Sequence, residues 1–277
     1  MPELPEVQTV CDVMRPQIVG KRIENIRIEE EKVIAGADVD KFKKCLIGAA
    51  FEAVNRRGKY ILLLLDKGRR LTIHLRMTGC LLVAPAGYPA EKHTHVTFEL
   101  EGGQELRFID QRKFGRMWLT EACGKVPGLD ALGPEPFDKA LTAEYLKERI
   151  GNLHRKIKDC LLDQHLVAGI GNIYSDEILF RAGIHPAREA CSLTEAAYER
   201  LAAQIPDTMR YYVDKNRIDA QTYLKTGGRE YQNTPYLQVY GRAGKACLVC
   251  GERLVKARVA GRGSVYCPCC QRLDETT

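Results

Sequence analysis

Four cysteines near the end of the chain have the spacing of a metal site: Cys247-x2-Cys250, sixteen residues, then Cys267-x2-Cys270. Two short pairs separated by a hairpin's length of chain set four thiolates tetrahedrally around one Zn²⁺. Two reducible disulfides are the competing reading. Cys269 also competes with Cys270 for the fourth place, although the two-residue spacing favours Cys270. Lys245, Arg253 and Lys256 favour the ionised thiolates that such a site needs. A zinc clip of this size folds on its metal and carries no chemistry of its own. Within its hairpin, VKARVAGRGSVY (255–266), Arg262 stands between two glycines. There the backbone can approach a ligand closely and a guanidinium can take two phosphate oxygens, though a solvated loop arginine explains it equally simply. A second candidate is GIGN (169–172), a glycine turn into a helix with Asn172 as its N-cap. Such a helix start offers free N–H groups and the positive end of the dipole to a phosphate; a plain helical hairpin is the alternative. At its other end the chain opens MPELPE, residue types favoured in a first helical turn.

The elements that must position these groups follow from periodicity. Val7, Val10, Val13 or Met14, and Ile18 recur at helical spacing up to Gly20, predicting a leading amphipathic helix. Strand patterns then dominate to about residue 120: 22–28 alternates, 59–65 is apolar and 71–83 is one long mixed run. Val96, Phe98 and Leu100 alternate, Gly102-Gly103 interrupts, and Leu106 and Phe108 resume, which predicts a hairpin. The first half is therefore expected to be a two-sheet β-sandwich with one leading helix. LGPEPFDKAL (132–141) reads as a linker, and helical patterns follow over 144–150, 156–167, 173–182 and 193–215. The expected fold is α+β and multidomain: a β-sandwich over 1–131, a linker over 132–141, a helical domain over 142–239 and a zinc-finger hairpin over 240–277.

Composition narrows the class. The 277 residues are 45% hydrophobic and 28% charged, which excludes a disordered chain as the default. The longest apolar run, 61–65, is strand-sized, far short of the roughly 20 residues that span a bilayer. No basic segment followed by an apolar core stands at the N-terminus, so the expected location is the cytosol. The 11 cysteines are odd in number, and six of them are scattered, which fits a reducing compartment better than a disulfide framework. A net charge of +6 permits nucleic-acid binding. The excess gathers at Arg56-Arg57-Gly58-Lys59, Arg112-Lys113-Phe114-Gly115-Arg116, Arg155-Lys156-Ile157-Lys158 and 253–262. Each cluster taken alone also reads as a solvated face.

Taken together, PELPE at the N-terminus, DQRKFG (110–115), LDQHLVAGIGNIYSDE (162–177) and the C-terminal CxxC…AGRGSVYCPxCQ resemble the formamidopyrimidine-DNA glycosylases, a bacterial family of base-excision repair enzymes. The motifs occur in the family's order and cover essentially the whole chain. The resemblance implies a β-sandwich, a helix–two-turn–helix domain and a zinc finger, with duplex DNA lying in the cleft between. It implies a bifunctional glycosylase and abasic-site lyase that excises oxidised purines, formamidopyrimidines first and 8-oxoguanine as a further candidate, and that acts as a monomer. By the same resemblance, once Met1 is removed the amine of Pro2 is the nucleophile that forms a Schiff base with the sugar, and Glu3 is the matching acid. Lys59 would assist β-elimination and Arg262 δ-elimination, with Arg262 and Asn172 gripping phosphate. Met77, Arg112 and Phe114 match the residues that fill the space left by a flipped base, and His74 and His93 match DNA-contacting positions. Core packing is the plain reading of Met77 and Phe114.

Two stretches depart from the family pattern. A Gly-Gly-[Ser/Thr] segment usually precedes the loop that closes over the flipped base, and here Asn216-Arg217-Ile218-Asp219 stands in its place. A basic DNA-contacting position is Leu153, with Arg155 and Lys156 near enough in sequence to compensate. Two rival readings remain: an endonuclease VIII-like enzyme acting on oxidised pyrimidines, and a non-catalytic zinc protein that binds damaged DNA. Leu4 and the Arg112/Phe114 motif argue against the first, and the second needs neither Pro2 nor Glu3.

Overall fold

The computed structural model describes residues 1–259 and 261–273; the last four residues of the predicted zinc finger, 274–277, lie outside the described residues. The chain divides into two compact units, Met1–Asp130 with Asn216–Gln232, and Ala131–Lys215 with Asn233–Thr277. The segment 216–232, grouped by sequence with the helical domain, thus packs in the first unit.

The first unit opens with α1 (Leu4–Ile18), which starts at an extended Glu3 and carries Pro5 and Glu6 in its first turn. Its inner face, Val7, Val10, Cys11, Met14 and Ile18, is fully buried. Burial of each such aliphatic side chain contributes about 1.5–3 kcal/mol. Then follow β1 (Ile23–Ile28), β2 (Ile34–Ala35), α2 (Val39–Leu46), β3 (Phe51–Arg57), β4 (Tyr60–Leu65), β5 (Arg69–His74), β6 (Gly79–Pro85), β7 (Thr94–Leu100), β8 (Gln104–Asp110) and β9 (Arg116–Glu121). They form a five-stranded sheet in the order β2-β9-β5-β4-β3 and a four-stranded sheet in the order β1-β7-β8-β6. One apolar core joins both sheets and α1, as the sandwich expectation requires. The predicted hairpin is β7–β8, turning at Gly102 and Gly103, both with positive φ.

One predicted run is two strands. Residues 71–83 break at 75–78, so that β5 lies in the larger sheet and β6 in the smaller. The bend is tight: the Gly79 N–H donates to the Leu75 carbonyl at 3.0 Å, and a Cβ on Gly79 would lie 2.3 Å from that oxygen. A side chain is excluded there, and Met77 is carried on the tip.

The second unit holds α3 (Ala143–Ile150), α4 (Ile157–Leu162), α5 (Asn172–Arg181) and α6 (Glu195–Lys215). After α7 (Ala220–Lys225), which packs in the first unit, come β10 (Val255–Val259) and β11 (Arg262–Tyr266), the antiparallel hairpin of the cysteine module. The helix expected over 156–167 ends at Leu162. Residues 163–171 are turns instead, stapled by Gln164, whose side chain accepts from the Gly169 N–H at 3.0 Å and donates to the Ile170 carbonyl at 2.8 Å. The stretch expected to be a linker docks on these turns: Gly133 donates to the Gln164 carbonyl, and a Cβ there would lie 2.4 Å from the His165 oxygen. Among the described residues no helix is long and apolar enough to cross a membrane.

Candidate active site

The start of α1 is built around two glutamates. Glu3, at the N-cap, is 2% exposed, and its N–H donates to Glu6 Oε2 at 2.8 Å in a capping box. The box fixes the backbone of the turn that carries Pro2, which is half-buried. Lys59 follows Gly58 (φ +55°) in the tight β3–β4 turn and is 7% exposed. Strand β3 is pinned to α1: Arg15 donates to the Val54 carbonyl at 3.2 and 3.0 Å, and Arg56 Nε to Gln8 Oε1 at 2.9 Å. His74 lies opposite Tyr60 in the β4–β5 ladder, its ring edge-on to the tyrosine at 4.6 Å. Its Nδ1 accepts the Arg76 N–H at 3.0 Å. Burial pushes the His74 pKa down to about 3, with the positive charges of Arg76 and Lys59 adding to the shift. His74 is therefore a neutral hydrogen-bonding group at physiological pH.

A second part of the first unit carries the three residues matched to base-flipping. Met77 and Phe114 are 44% and 47% exposed, which removes the core-packing reading of both. The Arg112 guanidinium lies 4.5 Å from the Phe114 ring centroid, a cation–π pair on an exposed loop. Asp110, wholly buried, organises both loops. Its Oδ1 accepts from the Thr78 hydroxyl and, at 3.2 Å, from the Arg112 N–H, while Oδ2 accepts from Gly115 N–H at 2.7 Å. Its backbone N–H donates to the carbonyl of His93, itself at φ +69°. The Asp110 carboxylate thus ties together the loops that carry Met77, Arg112 and Phe114, and its backbone N–H holds the turn at His93.

In the second unit the N-cap of α5 is Gly171, in extended conformation, and Asn172 is the first helical residue. The N-cap assignment made from sequence is corrected by one place, because glycine takes the extended cap conformation without needing a side chain. Asn172 Oδ1 is buried without a hydrogen-bond partner among the described residues. Further along α5, Asp176 holds the cysteine hairpin. Its Oδ1 accepts from Lys158 Nζ at 2.7 Å and Ser264 Oγ at 2.6 Å, and its Oδ2 accepts from the Val265 N–H at 2.9 Å. Lys158 Nζ also donates to the Gly263 carbonyl at 3.1 Å. Burial raises the Asp176 pKa, opposed by the charge of Lys158. The next residue, Glu177, accepts N–H bonds from Gln238, Val239 and Tyr240. Arg262 is exposed at the hairpin tip after Gly261 (φ +73°), and this network fixes it relative to Asn172. Arg155 pairs with Asp159 at 2.8 Å and Lys156 with Glu189 at 3.3 Å, so both basic residues beside Leu153 are held in ion pairs.

Cys247, Cys250, Cys267 and Cys270 bring their sulfurs within 4.8 Å of one another. The Cys250–Cys267 and Cys247–Cys270 separations, 3.5 and 3.9 Å, are far longer than a disulfide bond, and all cysteines are free thiols. Val249 N–H and Cys270 N–H each donate to a cysteine sulfur at 3.4 Å. Cys250 is held down to about 7, first by the backbone N–H of Glu252. Four sulfurs with N–H donors behind them fit one structural Zn²⁺. Cys269 is exposed and outside the cluster, which settles the register for Cys270.

Each unit thus assembles its own share: Pro2, Glu3, Lys59, His74, Met77, His93, Arg112 and Phe114 in the first, and Asn172, Arg262 and the four cysteines in the second. Sequence reading missed the supports, namely Thr78, Asp110 as an organiser, Gln164, Lys158 and Asp176. Asp110, Gln164 and Asp176 stand inside the family motifs, and a short carboxylate or amide side chain beside a turn or glycine was the available signal.

Known proteins bear on this geometry. Domain profiles match over residues 1–117 (formamidopyrimidine-DNA glycosylase N-terminal domain), 132–223 (formamidopyrimidine-DNA glycosylase H2TH domain) and 244–273 (zinc finger found in FPG and IleRS). The formamidopyrimidine-DNA glycosylase of Pelotomaculum thermopropionicum is 40% identical over 99% of this chain and 100% of its own. That of Symbiobacterium thermophilum is 46% identical over 99% and 90%. A crystal structure of Lactococcus lactis FPG with FAPY-dG-containing DNA superposes with a TM-score of 0.89 at 35% identity, covering 98% of this chain and 100% of that one. With a buried Glu3 beside Pro2, four matched cysteines and full-length similarity, the chain belongs to the formamidopyrimidine-DNA glycosylase family.

Proposed function

We propose that the protein excises oxidised purines from duplex DNA and nicks the resulting abasic site. The observation that carries this reading is the buried capping box that fixes Glu3 beside Pro2 at the positive end of α1. After removal of Met1, Pro2 is a secondary amine, and the helix dipole disfavours its protonated form, keeping the lone pair available. Attack of that nitrogen on C1′ breaks the bond to the base, the amine gives up its own proton, and Glu3 supplies a proton to the leaving base or to the ring oxygen, the C1′–O4′ bond breaking as the sugar ring opens. The product is an iminium that acidifies the C2′ proton. Loss of that proton expels the 3′ phosphate, with Lys59 assisting, and a second elimination expels the 5′ phosphate, with Arg262 assisting. Asn172 and Arg262 hold phosphate. Met77, Arg112 and Phe114 take the place of the flipped base, supported by their exposure around Asp110. The zinc clip holds the hairpin that bears Arg262. The action is monomeric and cytosolic, in keeping with free thiols throughout.

Borohydride trapping tests the reading. The protein incubated with a formamidopyrimidine or abasic duplex should form a covalent adduct, and mass spectrometry should place it on Pro2 of a chain lacking Met1. Glu3→Gln should lower base release about 10²–10⁴-fold. Absence of any adduct on either duplex overturns the enzyme assignment, and a lesion panel that favours thymine glycol overturns the purine assignment.

A further inference from the structure

The segment Asn216–Gln232 leaves the end of α6, packs in the first unit and returns. Asn216, at its base, is fully buried and makes bonds in three directions. Its Oδ1 accepts the Gln232 N–H at 2.8 Å, joining the two ends of the segment. Its Nδ2 donates to Thr9 Oγ1 at 2.9 Å, and its carbonyl lies 3.1 Å from the same hydroxyl. Thr9 is one turn beyond Glu6 on α1 and is itself buried, its hydroxyl also reaching the Pro5 carbonyl at 3.0 Å. The base of the segment is thus fastened to the helix that carries Pro2 and Glu3.

The rest of the segment is ordered by what it touches. Asp219 caps α7 by accepting the Thr222 N–H at 2.9 Å, and Ile218, Ala220, Tyr223 and Leu224 join the core. The Cys80 thiol lies 3.2 Å from the Gly228 carbonyl, and a Cβ on Gly228 would meet that sulfur at 2.3 Å. Near the far end, burial pushes the Tyr231 hydroxyl well up, and the charges of Cys80 and Glu6 add to it.

We propose that Asn216 is a positioning residue for base recognition, clasping the segment 216–232 to the catalytic helix so that it abuts whatever group C1′ of the bound sugar carries. This rests on the proposed glycosylase chemistry, because the damaged base is attached to the carbon that Pro2 attacks. A glycine at 216 could make neither side-chain bond, so the clasp belongs to this chain's departure from the family's Gly-Gly pattern. An abasic sugar carries no base and gives the segment nothing to contact. The clasp therefore separates two activities of one site.

The test measures base release from a formamidopyrimidine duplex and trapping on an abasic duplex, side by side. Asn216→Ala and Thr9→Val should lower single-turnover base release about tenfold or more while leaving abasic trapping within about twofold. Thr9→Ser, which keeps the hydroxyl, should restore base release, and Asn216→Ala combined with Thr9→Val should cost little more than either alone. Abasic trapping reports at once that a variant has folded. Equal losses in both activities, no loss in either, or failure of Thr9→Ser to rescue overturns the clasp while leaving the glycosylase reading intact. Absence of trapping by the unaltered protein overturns both.

Discussion

Asp110 and Asp176 are buried aspartates, one in each unit, that hold loops bearing proposed DNA contacts, and they are compensated differently. Asp110 is surrounded by neutral donors: a hydroxyl and two loop N–H groups, from Thr78, Arg112 and Gly115. Asp176 faces a lysine whose side chain is as inaccessible as its own, plus one hydroxyl and one N–H. The first arrangement satisfies loop N–H groups that would need partners in any case. The second brings together residues 158, 176 and 263–265 and places a full ion pair in the interior. The neutral cage should tolerate loss of one partner, and the ion pair should not, because the surviving charge is left without compensation.

Four perturbations sharpen this contrast, in falling order of effect. Chelation of zinc should be the largest, since structural zinc contributes about 10–16 kcal/mol in isolated finger modules. The hairpin bearing Arg262 should unfold and nicking should cease, while the fluorescence of Trp118, the one tryptophan, which sits in the first unit, should not change. Lys158→Met should cost about 3–5 kcal/mol in a denaturant melt, and adding Asp176→Leu should recover part of that loss. A double variant no more stable than the single one would show that the ion pair is not what makes this region sensitive. Asp110→Asn should cost about 1–3 kcal/mol, because one oxygen acceptor becomes a donor facing N–H groups. It should also slow excision from duplex DNA more than it destabilises the fold.

The fourth effect is the smallest near neutral pH and grows on acidification; it concerns His74, whose folded pKa lies near 3 against an ordinary value of 6.5. Between those values the unfolded chain binds a proton that the folded chain refuses, so stability falls as pH drops below about 6.5. The slope is at most about 1.4 kcal/mol per pH unit. In His74→Gln this part of the pH dependence should vanish from melts recorded between pH 6.5 and 4.

Features written in contiguous residues were legible in the sequence: the cysteine pairs, the leading helix, the hairpin around Gly102-Gly103 and the break into α5. What the sequence hid depends on contacts between distant residues. The crossing at 75–78 looks like continuous strand because both halves are apolar, and only sheet packing shows that β5 and β6 part there. Helix α2 was passed over within strand-rich surroundings, although Asp38, which accepts the Asp40 and Lys41 N–H groups, is a helix-start signal. The early stop of α4 follows from the side chain of Gln164, which draws the backbone into turns that periodicity cannot foresee. In the site, Pro2, Glu3 and the zinc ligands were readable from motifs, whereas Asn216 was visible only as a departure from a family pattern. Its two side-chain partners lie 207 and 16 residues away.

The cysteines outside the zinc site add a chemical consequence. Burial raises Cys11 to about 12, and Cys80 and Cys160 to about 11. At those values essentially no thiolate is present near neutral pH, and thiolate is the form that oxidants attack. A protein that repairs oxidised bases works where such oxidants are abundant. By withholding the proton-free form of its interior sulfurs, the sandwich core and the helical unit keep these three positions out of the damage chemistry whose products the enzyme removes from DNA.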